Sequence, residues 1–204
     1  MALRKPPEFF AKQPIAYKNY ERTAYETGRI CAFDIGNKRL VLRYLPEGGV
    51  YNRELRDKAL EFLNRQSPIP PAEMKIKKQP NDNAWFVALK TSREISPFSP
   101  AVQYGELVGA AVAVLYPYSF LKKEQWNEGC KRYHEEFILD TVAVDKKYGK
   151  IGLGYMLVRI AFENALISGL YDKISISRIW DNTGAVEKII AKVEKELEIK
   201  INRI

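Results

Sequence analysis

Asp140 lies inside an apolar run, I-L-D-T-V-A-V over residues 138–144, and Glu136 stands four residues before it. A carboxylate among aliphatic side chains can take a proton from an ammonium group, which is the work of a general base. The plain alternative is an ion pair with a nearby Lys or Arg for Asp140, and a solvated strand start for Glu136. Directly after the run come K-K-Y-G-K-I-G-L-G, residues 146–154, which set Gly149, Gly152 and Gly154 among Lys146, Lys147 and Lys150. A glycine-rich turn that opens a helix presents unpaired N–H groups and the positive end of the helix dipole to an anion. Its plain counterpart is a strand-to-helix corner eased by glycine, and the turn alone does not choose between the two.

Other chemistries are disfavoured. The order G-x-x-G-x-G lacks the G-K-[ST] ending of a loop that holds a magnesium nucleotide. It also differs from G-x-G-x-x-G, and no βαβ unit with a later acidic residue is read around it, against a dinucleotide site. His134 is the only histidine, so no metal site is expected and a Ser-His or Cys-His nucleophile has little support. Cys31 and Cys130 are far apart, which suits a reduced, cytoplasmic setting. The opening MALRKPPEFF is charged and broken by proline, unlike a secretory signal. The longest apolar run, Leu107 to Tyr116, falls short of the ~20 residues of a membrane helix, so no membrane partner is expected.

The elements that must position these groups follow from periodicity. Residues 29–45 place Gly36–Asn37 between β-rich runs and predict a hairpin. Leu55, Ala59, Leu60, Phe62 and Leu63 predict a helix over 53–66, and residues 84–92 and 106–117 predict strands. In the strand at 135–145, strict alternation would put Ile138, Asp140, Val142 and Val144 on one face, with Glu136 on the same side. Leu153, Met156, Leu157, Ile160, Ala161 and Ala165 give the next helix, and K-I-S-I-S a further strand. Asp181, Asn182 and Thr183 offer caps to a helix faced by Val186, Ile189, Ile190, Val193 and Leu197, and E-I-K-I-N-R-I closes as a strand. From residue 84 the order is β-β-β-α-β-α-β, an α/β (mixed α+β) fold. The expected division is a basic arm with a hairpin and helix over 1–83, packed on a core over 84–204.

The stretch L-D-T-V-A-V-D-K-K-Y-G-K-I-G-L-G resembles the acyl-CoA-binding motif of the GCN5-related N-acetyltransferase (GNAT) superfamily. Val144, Tyr148, Gly152 and Gly154 fall on the matching places, and N-x-x-A at Asn182 to Ala185 follows in the right order. The likeness covers roughly residues 84–204. It implies a mixed sheet in which two neighbouring strands splay. Acetyl-CoA or another acyl-CoA would lie in the gap, its pantetheine along Val142, Ala143 and Val144. Its pyrophosphate would rest on the amides of Gly149, Lys150, Ile151, Gly152, Leu153 and Gly154, with Asn182 beside the cofactor arm. A free amine then attacks the thioester, a carboxylate (Asp140, or Glu136) takes its proton, and a tyrosine often protonates the thiolate. The chain departs from the pattern twice. The usual Gln or Arg is Gly149, and the tyrosine place holds Ile189, which leaves Tyr155, Tyr171, solvent, or no catalysis.

The net charge of +8 is uneven: residues 1–103 hold 18 Lys/Arg against 11 Asp/Glu, and residues 104–204 hold 15 against 14. Runs such as K-I-K-K at 75–78 are commonly solvated faces. A basic surplus mixed with Tyr and Phe also suits contact with DNA or RNA. Three functions follow: an N-acyltransferase with an amine acceptor, a nucleic-acid base modifier resembling the phage Mom-type proteins, or a module of this fold that binds without catalysing.

Overall fold

The computed structural model describes residues 29–35, 38–45, 50–66, 83–91, 105–117, 134–168, 171, 173–177 and 184–204. Among these residues, seven strands form one sheet in chain order: β1 (Arg29–Ile35), β2 (Lys38–Leu45), β3 (Asn83–Thr91), β4 (Glu106–Pro117), β5 (His134–Val144), β6 (Lys173–Ile176) and β7 (Asn202–Arg203). The first five pair antiparallel, and β5–β6 and β6–β7 are parallel. β1 and β2 place Ile35 opposite Lys38, the spacing of the expected hairpin, whose Gly36–Asn37 tip lies outside the described residues. Because β2 pairs with β3, the hairpin and the strands after residue 83 share one sheet.

Helix α1 (Val50–Gln66) covers one face and α2 (Leu153–Ser168) and α3 (Ala185–Leu197) the other. The face periodicity of α1 explains its place: Leu55, Ala59, Phe62 and Leu63 sink against Val41, Trp85, Val87 and Ala110. Each of the leucines and Phe62 contributes roughly 1.5–3 kcal/mol when fully buried. α2 lies between the sheet and α3, so it is buried nearly all round, and Arg159, Glu163 and Asn164 go under with the apolar residues. It approaches β4 at Gly109, where a Cβ would come within 3.0 Å of Leu157 Cδ1. A side chain there would require Leu157 to shift by a few tenths of an ångström.

α2 joins β5 to β6 and α3 joins β6 to β7, two successive parallel crossovers with both helices on one face. A βαβ unit therefore does surround the glycine turn, contrary to the sequence expectation. Parallel pairing requires such a crossover, but it depends on strand direction, which element order alone does not state. The observed fold is a mixed α+β sheet with helices on both faces, as the GNAT resemblance implies.

α3 corrects a second expectation. Its N-cap is Gly184, at φ 66° and with no side-chain cap, so the Asp-Asn-Thr chemistry does not sit at the cap position. Asn182 itself lies outside the described residues, as do residues 1–28 and the lysines at 75–78.

Candidate functional site

β5 is built in two segments, separated at Asp140. Val112 of β4 stands opposite Thr141, whereas Ala113 stands opposite Leu139, so Asp140 is an extra residue in a β-bulge. A bulge reverses the alternation beyond it. Val142 and Val144 consequently pack on the α2 face with Phe137 and Leu139, while Ala143 turns to the α1 face. Ile138, which alternates with Phe137 and Leu139, faces the other way. The expectation of one face shared by Ile138, Asp140, Val142 and Val144 fails here because one inserted residue shifts the two-residue period.

The same residue ends the pairing with β6. The parallel ladder runs from Glu136 opposite Lys173 to Leu139 opposite Ile176, and Ser177 N–H donates to the Leu139 carbonyl at 3.0 Å. Beyond it, no described strand lies along Val142 and Val144. Asp145 N–H donates to Val108 of β4 at 2.9 Å. By alternation, the backbone groups of Asp145, Ala143 and Thr141 address β4, and those of Val142 and Val144 face the open edge.

That edge leads straight into the turn. Lys146–Tyr148 form one turn of 3-10 helix, capped by Asp145, whose Oδ1 accepts from Lys147 N–H at 2.8 Å. Tyr148 is buried in the core and anchors the turn. Gly149 N–H donates to the Lys146 carbonyl at 3.1 Å. The turn thus uses the Gly149 donor itself. Lys150 and Gly152 take positive φ, 64° and 84°. The first α-helical bond after the turn runs from Met156 N–H to the Gly152 carbonyl, 3.0 Å. Among the described residues no acceptor serves the amides of Lys150, Ile151, Gly152, Leu153 and Gly154. Lys146, Lys147, Lys150, Ile151 and Gly152 are exposed, and Leu153 is buried, leaving only its backbone for the turn. A Cβ on Gly154 would meet Val144 and Ile189 at 3.8 and 3.9 Å, so β5, α2 and α3 converge at this point.

Both carboxylates lie near the separation. Thr141 Oγ1 donates to Asp140 Oδ2 at 2.9 Å, a contact that opposed side chains of a regular strand do not make. It puts Asp140 on the side of Thr141, the α1 side. Glu136 accepts from the fully buried Ser175 hydroxyl at 2.5 Å. Asp140 and Glu136 are both half-buried.

The tyrosines are placed elsewhere. Tyr155 donates to Glu196 and accepts from Arg159 at 2.9 Å, in the seam between α2 and α3, and burial pushes its hydroxyl up to about 12. Glu196 lies seven residues along α3 from Ile189, about 10 Å. Tyr171 packs on Phe137 at 5.3 Å, inside the paired part of β5, and burial raises it well above the ordinary range. Neither is placed to serve the open edge. The sequence carried one signal for the α2–α3 seam: Tyr155, Arg159 and Glu163 recur every four residues on a largely apolar helix.

Among the described residues no group of three or more His, Cys, Asp or Glu could hold a metal, and no helix is long and apolar enough to cross a membrane.

No protein-family model matches the sequence, and no curated protein matches it. Solved structures do resemble the fold. An aminoglycoside acetyltransferase from an uncultured soil metagenomic sample is 14% identical, with a TM-score of 0.44, covering 74% of this chain and 86% of that one. A ribosomal-protein-alanine N-acetyltransferase from Brucella melitensis is 10% identical, with a TM-score of 0.43 and coverages of 73% and 87%. The aminoglycoside N-acetyltransferase AAC(6')-Iy in complex with CoA is 13% identical, with a TM-score of 0.42 and coverages of 82% and 92%.

Proposed function

We propose that the protein is an acyl-CoA-dependent N-acyltransferase, with acetyl-CoA as donor and an amine as acceptor. One observation carries the reading: the open backbone edge at Val142 and Val144 leads, through the single turn Lys146–Tyr148, to five unserved amides, Lys150 to Gly154. Such a track suits a ligand that is amide-bearing and strand-like at one end and doubly anionic at the other. The pantetheine amides would add to β5 as a strand edge does, and the pyrophosphate would take the amides and the charge of Lys146, Lys147 and Lys150. This orientation sets the thioester near Asp140, where the strands separate.

The amine nitrogen attacks the thioester carbonyl carbon. The C–N bond forms, the C–S bond breaks, and the electron pair leaves with sulfur. Asp140 takes the proton from nitrogen, directly or through one water, with Glu136 as the alternative base. With Tyr155 and Tyr171 held elsewhere, the thiolate takes its proton from solvent. Ile189 also favours a second reading, a module that binds acyl-CoA without turnover, since an aliphatic wall stands by Gly154 in place of a donor.

Acetyl-CoA should raise the melting temperature, because a ligand held only by the folded state stabilises it by mass action. Release of free CoA thiol in the presence of primary amines separates the enzyme from the binding module. No thermal shift at millimolar acetyl-CoA overturns both. Mass analysis of nucleic-acid bases and proteins from expressing cells identifies the acceptor class. A modified base in place of an acylated protein would favour a role like that of the phage base modifiers.

A further inference from the structure

Leu139 and Asp140 are consecutive, yet both carbonyls bond to the same residue, the one directly after β6. Ser177 N–H reaches Leu139 O at 3.0 Å, and Ser177 Oγ reaches Asp140 O at 3.2 Å. In a regular strand consecutive carbonyls point to opposite edges, so one residue cannot bond both. The bulge alone turns the Asp140 carbonyl away from β4, where a half-buried acceptor without a partner is unfavourable. The hydroxyl supplies that partner. It thereby fixes the peptide plane between Asp140 and Thr141, and with it the directions of both side chains.

Two residues earlier on β6, Ser175 does a related thing, donating to the Glu136 carboxylate. The alternation in K-I-S-I-S thus sets Ser175 in β6 and Ser177 directly after it on one side, the first bonded to Glu136 and the second to Asp140 of β5.

We propose that Ser177 is a positioning residue for proton transfer: by holding the bulge through the Asp140 carbonyl, it aims the Asp140 carboxylate at the amine. The inference rests on the acyltransferase reading above. It acts through Asp140 and not through the acyl-CoA track, which is built from residues 142–154. Loss of the hydroxyl should therefore affect the reaction step and spare acyl-CoA binding.

The test compares Ser177→Ala, Ser177→Cys and Ser177→Thr in the full chain. Thr keeps the hydroxyl and suits a strand, and Cys keeps the shape while weakening the donor, so it serves if Ala does not fold. Hydrogen exchange at the Thr141 amide, which addresses β4, and the carboxyl 13C shift of Asp140, assigned with Asp140→Asn, need no turnover. We expect Ala and Cys to speed exchange about tenfold and move the Asp140 resonance, and Thr to restore both. With acetyl-CoA and a primary amine, kcat should fall about tenfold at unchanged KM for acetyl-CoA, again restored by Thr. Unchanged exchange and an unchanged Asp140 resonance in Ala and Cys overturn the inference, as does loss of acetyl-CoA affinity in step with kcat. Failure of the unsubstituted protein to bind acetyl-CoA overturns the acyltransferase reading instead, and the two spectroscopic readouts still report on Ser177.

Discussion

Arg159 Nε donates to Glu163 Oε1 across 2.6 Å, with both side chains more than nine-tenths buried in α2. Arg159 also bonds Tyr155 and Glu196, while Lys192 sits over the Tyr155 ring at 4.2 Å, so α2 and α3 are tied by charge as well as by apolar packing. Burial penalises the Glu163 carboxylate more than Arg159 favours it, and the group is raised to about 7. The folded chain then binds this proton more tightly than the unfolded chain does, so the stability it contributes is complete below about 4.5 and lost as pH rises through about 7. We expect urea unfolding to show this fall, on the order of 2 kcal/mol, between pH 5 and 8. Glu163→Gln should remove the slope in that window. Equal slopes in the two proteins would place the proton elsewhere.

The C-terminal segment should respond in the opposite sense. Arg203 bonds Glu194 at 2.6 Å, and this, with the Ile201 N–H, holds Glu194 below its ordinary value. That contribution is present above the unfolded value and is lost as pH falls through the lowered one. The pair is solvent-accessible, so Arg203→Ala should cost under about 1 kcal/mol, seen as a small drop in melting temperature at pH 7 and none at pH 2–3. An equal drop at both pH values would mean that Arg203 acts by packing.

Gly152 and Gly154 should part company. Gly152 has φ 84° with open space about its missing Cβ, so Gly152→Val should cost roughly 1–2 kcal/mol through backbone strain alone. Gly154 has no positive φ and only ordinary contacts waiting for a methyl, so Gly154→Ala should leave the melting temperature within a degree or two. The acetyl-CoA thermal shift should vanish in the first and survive in Lys150→Ala, since the amides carry the anion and the lysine only assists. A shift lost in Lys150→Ala but kept in Gly152→Val would move the anion to the side chains.

Asp140→Asn removes the proton acceptor at constant size. The expected loss is roughly 10²–10⁴ in kcat, with acetyl-CoA affinity kept and the acidic limb of the pH–rate profile gone. Normal turnover would transfer the role to Glu136.

Local patterns were enough to settle what depends on neighbours in the chain. The faces of α1, α2 and α3, the β1–β2 hairpin and the strand–turn–helix passage at 139–166 all follow from spacings of two and from three to four residues, because burying an apolar face is decided within each element. The tertiary structure decided what depends on a partner strand. A β-bulge has no residue-type signature in L-D-T: only the pairing of Val112 with Thr141 and of Ala113 with Leu139 shows that Asp140 is surplus, and that Val142 and Val144 have changed face. The use of the Gly149 amide by its own turn, the burial of Arg159 and Glu163 beneath α3, and the two carbonyls held by Ser177 are likewise contacts between groups distant in sequence or set by exact backbone angles. Their energies arise only when the chain has folded, which is why residue types and spacing point to the elements of the site and not to its geometry.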